Sequence, residues 1–206
     1  MKCWFTLNEL KKRKAYEAFL HLYRYKYAAK NLRGKVLDIG CGAGFNLKNK
    51  NWYGIDMDKE AIKMSKKKGI VKLGSISKIP FKNNTFEGVC CLEVIEHVPG
   101  KKSPVKEITR VLRTGGRVVI STPNPRLINF AKRLGWSDDV HDSKDYFIEE
   151  KELINIFKKN GFKLKEARHF FWIPSSLRFL FPLSRALGEL FRPICYNYML
   201  LLEKQA

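Results

Sequence analysis

The chain has 206 residues, 45% of them hydrophobic, and 40 Lys and Arg against 20 Asp and Glu give it a formal net charge of +20. That length suits one α/β domain with a small elaboration, and that apolar content excludes wholesale disorder. The charge suits an anionic partner, whether nucleic acid, anionic lipid or acidic substrate, or simply a solvated Lys-rich surface; it does not bear on the fold.

The five cysteines, Cys3, Cys41, Cys90, Cys91 and Cys195, form no CxxC pair. This suggests a reducing, cytoplasmic setting without disulfides or a zinc site. Met1–Phe5 leads straight into charged residues, and no apolar run has the length of a signal peptide or a membrane span.

In chain order, residues from about Phe5 to Lys30 read as a basic helix, with Phe19, Tyr23 and Tyr27 recurring every fourth residue. Strand and helix then alternate. Lys35–Gly40 is an apolar strand ending in glycine, Trp52–Asp56 a second strand, Asp58–Lys68 a helix and Ile70–Gly74 a third strand. Phe86–Leu92 is a fourth strand, apolar enough for burial on both faces. Ser103–Leu112 is a helix opened by Ser-Pro, and Arg113–Gly116 turns into the strand Arg117–Thr122. After Pro123-Asn124-Pro125 the pattern loosens, and Leu127–Tyr146 reads as an insertion or a substrate-side segment. Glu149–Asn160 is a helix closed by Gly161, and Phe162–Phe170 and Cys195–Glu203 are two last strands. Such alternation predicts a parallel sheet with helices on both faces.

The stretch Val36–Gly44 ends a strand in Gly-x-Gly-x-Gly, which lets a ligand approach the backbone closely. Asp56, at the end of the next strand, is placed for ribose hydroxyls. These features fit NAD as well as S-adenosylmethionine. Asp38 helps separate the two: it would repel a pyrophosphate and favour an ammonium and a sulfonium. The glycine spacing also departs from the dinucleotide Gly-x-Gly-x-x-Gly.

Val36–Gly44, Tyr53–Asp58, Gly74–Ile76, Phe86–Val98 and Leu112–Thr122 together resemble, in order and spacing, the class I S-adenosylmethionine-dependent methyltransferases, and within them the type 11 and ubiquinone-pathway O-methyltransferases. The resemblance covers residues from about 30 to 165. It implies a Rossmann-like doubly wound sheet of seven strands, mostly parallel with the last antiparallel. To this the sequence adds an N-terminal helical cap (1–33), a core (34–170), an apolar helical insertion (171–194) and a last strand (195–206) in a single domain. The resemblance also implies that Asp38, Gly40, Cys41 and Gly42 hold the methionine end of S-adenosylmethionine and that Asp56 takes the ribose. Met57, Ser75 and Ile76 would flank the adenine, with Leu92 and Glu93 completing the cofactor set. Ser75 stands where many relatives have Asp. The segment Gly44–Tyr53 is short, so its helix is expected to shrink to a turn or two.

Glu93-Val94-Ile95-Glu96-His97 falls at the carboxyl end of a central strand, where ligands bind in open α/β sheets. His97 is the candidate base for a hydroxyl nucleophile. Alternatively Glu93, Glu96 and His97 bind Mg²⁺ or Mn²⁺, or the carboxylates are structural and the histidine packs. The triplet resembles the ubiquinone-pathway enzymes and the small-RNA 2′-O-methyltransferases. In the latter a further His joins the metal, for which His141 and His169 are the later candidates. The Asn/Asp-Pro-Pro-Tyr/Phe motif of nucleobase amino-methyltransferases is not at this position.

Phe171–Ile194 places Arg178, Arg185, Glu189 and Arg192 on one stripe of a helix beside a wide apolar face, with Pro182 as a kink. Such a face packs on the sheet, lies at a membrane interface or caps a lipid-like substrate. Three functions follow in order of preference. The first is O-methylation of a small or lipid-like molecule by a cytoplasmic protein peripheral to the membrane. The second is RNA 2′-O-methylation, and the third a non-catalytic membrane-associated protein that keeps the fold.

Overall fold

A computed structural model describes residues 15–48, 51–133, 146–171 and 175–206. The helix expected from Phe5 is α1 (Ala15–Asn31), and its earlier part lies outside the described residues. Then come β1 (Val36–Ile39), β2 (Trp52–Asp56), α2 (Lys59–Ser65), β3 (Ile70–Leu73), β4 (Phe86–Leu92), α3 (Lys102–Val111), β5 (Leu112–Pro123) and α4 (Pro125–Arg133). The chain continues through α5 (Glu150–Lys159), β6 (Phe162–Phe170), α6 (Ser184–Leu190) and β7 (Asn197–Lys204).

The seven strands lie in the order β3-β2-β1-β4-β5-β7-β6. Pairs among β1–β5 are parallel, while β7 runs antiparallel to both β5 and β6. The expected topology is thus observed. Strand alternation sends neighbouring side chains to opposite faces, so β5 gives Val118 and Ile120 to one core and Val119 to the other. The first core packs against α3 and α5, and the second against α1 and Phe181. Cys90 and Cys91 divide the same way, both fully buried, and burial pushes both thiols up.

Two expectations need correcting. Arg113–Gly116 is no free turn but part of β5. The ladder shifts register between Phe86 and Gly88, and Gly115 at φ +76° takes up the irregularity. The side chain of Ile76 is in the core with Ile55 and Ile79, one residue beyond Ser75. The 171–194 segment is not one helix. A 3₁₀ stretch (Ser175–Leu183), bent at Leu177 and containing Pro182, precedes α6, and a 3₁₀ turn (Arg192–Ile194) follows it. The proline removes the continuity a single charged stripe would need. The helix after the glycine loop is indeed reduced, to the 3₁₀ turn Asn46–Lys48. No helix among the described residues is long and apolar enough to cross a membrane.

Candidate functional site

β1 delivers Asp38 and Gly40 to the carboxyl edge of the sheet. Gly40, Gly42 and Gly44 have φ of +71°, +52° and +76°, a region other residues enter at a cost. At Gly40 a Cβ would stand 2.5 Å from Val94 Cγ2, so the β4 loop closes directly on this turn. Gly40 N and Cys41 N both donate to Ile55 O, at 2.9 and 3.0 Å. Asp56 ties the loop to the next turn: its Oδ2 accepts from Gly42 N and its Oδ1 from Asp58 N, each at 2.9 Å. Each oxygen keeps a lone pair for a ribose hydroxyl. Met57 beside it is 71% exposed, an apolar side chain open to cover by a flat base. Ser75 Oγ accepts from Ser77 N at 3.2 Å. Leu92 is half-buried at the end of β4, and Cys41 is buried against Gly54.

Asp38 is fully buried, and burial pushes its carboxyl up to about 7 despite a hydrogen bond from Asn46 Nδ2 at 3.1 Å. Asn46 Oδ1 is also buried and has no hydrogen-bond partner. A carboxylate and an orphaned carbonyl oxygen side by side are acceptors awaiting a cationic donor. On the far side of the loop, Arg24 reaches in from α1 and is 6% exposed. Its Nη1 lies 3.6 Å from Glu93 Oε1, and its buried Nε has no partner. A buried donor of this kind suits an anionic group. Together these atoms fit the ammonium and carboxylate ends of S-adenosylmethionine.

The Glu-x-x-Glu-His triplet does not converge. Glu93, at φ +54°, accepts from Ser121 Oγ at 2.7 Å and from Asn197 Nδ2 at 2.8 Å. Glu96 accepts from Thr122 Oγ1 at 3.1 Å. Ser121 and Thr122 are consecutive on β5, so their side chains, and with them the two carboxylates, are drawn to opposite faces of the sheet. Burial, then the nearby Glu93 charge, holds the Glu96 carboxyl well above the usual carboxylate range. No group of three His, Cys, Asp or Glu among the described residues is placed to hold a metal ion as the side chains stand. His97 is half-buried in the 3₁₀ turn Ile95–His97. Lys101 clamps that turn, donating from Nζ to Ile95 O at 2.5 Å and Val98 O at 2.6 Å.

Of the later histidines, His141 lies outside the described residues. His169 is buried elsewhere: its Nε2 faces Glu150 Oε2 at 2.8 Å and its Nδ1 faces Glu189 Oε2 at 3.1 Å. Arg24, Asn46, Ser121, Thr122 and Asn197 were not found by sequence reasoning. No motif marks them, and for Arg24, Ser121 and Asn197 the partner is 28 to 104 residues away along the chain.

A family model described as a methyltransferase domain matches residues 37–120. An uncharacterised protein, MJ1123, of Methanocaldococcus jannaschii is 32% identical over 143 residues, 64% of this chain and 65% of that protein. A ubiquinone biosynthesis O-methyltransferase of Colwellia psychrerythraea is 26% identical over 161 residues, 68% of this chain and 65% of that enzyme. The chain thus spans just under two thirds of the length of these curated relatives. In fold it is similar to a Thermotoga maritima S-adenosylmethionine-dependent methyltransferase, described as a possible histamine N-methyltransferase. That similarity has a TM-score of 0.71 at 19% identity, covering 97% of this chain and 96% of that one. Residues 37–120 are thus similar in sequence to a methyltransferase domain, and the fold is similar to that of an S-adenosylmethionine-dependent methyltransferase.

Proposed function

We propose that the protein transfers a methyl group from S-adenosylmethionine to an oxygen of a small or lipid-like acceptor, the whole chain acting as one methyltransferase domain. The carrying observation is the buried Asp38 carboxylate beside the orphaned Asn46 Oδ1, under a loop of three left-handed glycines. S-adenosylmethionine, when bound, supplies an electrophilic methyl group on a sulfonium. Asp38 and Asn46 accept hydrogen bonds from its ammonium, Arg24 faces its carboxylate, and Asp56 accepts from the ribose hydroxyls. Much of the catalysis is then positioning of the acceptor. His97, on the turn clamped by Lys101, takes the proton from the acceptor hydroxyl. The 26% identity to a ubiquinone-pathway enzyme supports a lipid-like acceptor, and the apolar 171–194 segment supports contact with a membrane surface. The RNA 2′-O-methylation reading draws its support from the net charge of +20.

Calorimetry with S-adenosylhomocysteine tests this reading. Binding is expected for the wild-type chain, with a strong loss in Asp38→Ala. A folded wild-type sample that binds NADH and not S-adenosylhomocysteine would overturn it.

A further inference from the structure

The stretch between β6 and β7 has two unlike sides. On the inner side of α6, Ser184, Leu187 and Gly188 face the sheet, and Gly188 sits so close to β6 that a Cβ would lie 2.3 Å from His169 O. That side is fully used by packing. On the outer side Leu183, Ala186 and Leu190 follow one another at helical spacing, all exposed. Leu177, Phe179 and Phe191 extend the apolar surface at either end. Among the described residues ten large hydrophobics are exposed, and five of them fall between Leu177 and Phe191. Phe179 and Leu190 are each 72% exposed. Scattered singly, exposed apolar side chains need no explanation; gathered in fifteen residues, they mark a contact surface.

The charge around this surface selects its partner. Arg185 and Arg192 are exposed beside the apolar row. The neighbouring helix α1 packs on the 3₁₀ stretch through Phe19 and Phe181, with ring centroids 5.3 Å apart, and exposes Lys26 and Lys30. The whole chain carries +20. Apolar side chains rimmed by cations match the acyl boundary and headgroups of an anionic bilayer. We propose that the outer face of residues 177–191 docks on an anionic lipid surface, seating Phe179, Leu183 and Leu190 among the lipids with Arg185 and Arg192 at the headgroups. This deepens the membrane-surface contact proposed above and rests on it. The same surface is one helix away from the site, because α1 carries both Phe19 at the docking segment and Arg24 at Glu93.

Flotation of the full chain with vesicles of phosphatidylcholine, alone or mixed with phosphatidylglycerol, tests the surface. The chain is expected to float with the mixed vesicles and not with the neutral ones, and to be released by salt. Phe179→Ser combined with Leu190→Ser changes two open positions. This variant should keep the melting temperature and the binding of S-adenosylhomocysteine while its floating fraction drops by at least roughly tenfold. No flotation of the wild type with mixed vesicles, or equal flotation of the double variant, overturns the proposal. A wild-type dimer that the double variant converts to monomer, with flotation unchanged, assigns the face to a second copy of the chain and overturns it as well. Cofactor binding is read in solution on the same samples, so a failure of the methyltransferase reading shows separately.

Discussion

The β1–β2 side of the sheet and its β5–β7 side build their polar centres by different means. At β1–β2 the backbone does most of the work: three left-handed glycines, two amides on Ile55 O, and one aspartate that bridges two turns. At β5–β7 side chains from distant segments converge. Arg24, Ser121 and Asn197 gather on Glu93, and Glu150 and Glu189 close on His169. A backbone-built centre depends on local conformation, whereas a side-chain-built one depends on how separate elements dock.

The largest effect that would break this contrast is expected at a glycine on the side-chain-built half. Gly188→Ala would drive a Cβ into the β6 backbone and should cost about 3 kcal/mol, read as a lower denaturant midpoint. If it is neutral, α6 does not dock as tightly as His169 O implies. Gly40→Ala combines φ +71° with contact against Val94 and should cost about 2 kcal/mol, with a further loss of cofactor affinity in calorimetry. Next comes His169→Gln. With a carboxylate at each ring nitrogen, both must donate, so the ring is cationic. Hydrogen bonds and charges from Glu150 and Glu189 outweigh burial and hold its pKa above the ordinary value. Its contribution is therefore complete below about pH 6.5 and lost as pH rises through the raised folded value. The variant should lose about 1.5 kcal/mol near pH 6 and progressively less in alkali, as pH-dependent unfolding curves would show. The last effect, at Asp38, is read on binding rather than on stability. Its carboxyl takes a proton below about 7, so affinity for S-adenosylhomocysteine should fall by roughly tenfold per unit as pH drops further. Asp38→Asn should flatten that profile.

The same contrast explains what the sequence disclosed. The glycine loop and the strands themselves were legible because each depends on neighbours within a few residues and on a period of two, whereas the seven-stranded sheet with its antiparallel last strand was implied by the family resemblance. The shrunken helix after Gly44 was legible from spacing alone. Arg24 and Asn197 were not, because nothing local marks a residue whose partner is 69 or 104 positions away. The partners of Glu93 and Glu96 were hidden for the same reason: the two are close in sequence, but Ser121 and Thr122, consecutive on β5, draw them to opposite faces. In the 171–194 segment the kink at Pro182 was legible, but the bend at Leu177 and the division into a 3₁₀ stretch, α6 and a 3₁₀ turn were not, because no local signal marks them.

The position of β7 bears on how the chain is completed during synthesis. It follows β6 in the sequence, yet it lies between β5 and β6. Until residues 197–204 leave the ribosome, β6 has no hydrogen-bonding neighbour, and Asn197 is not there to hold Glu93. The five parallel strands can form while translation continues. The far edge of the sheet, and with it the Glu93–Asn197 contact, closes only once β7 is available.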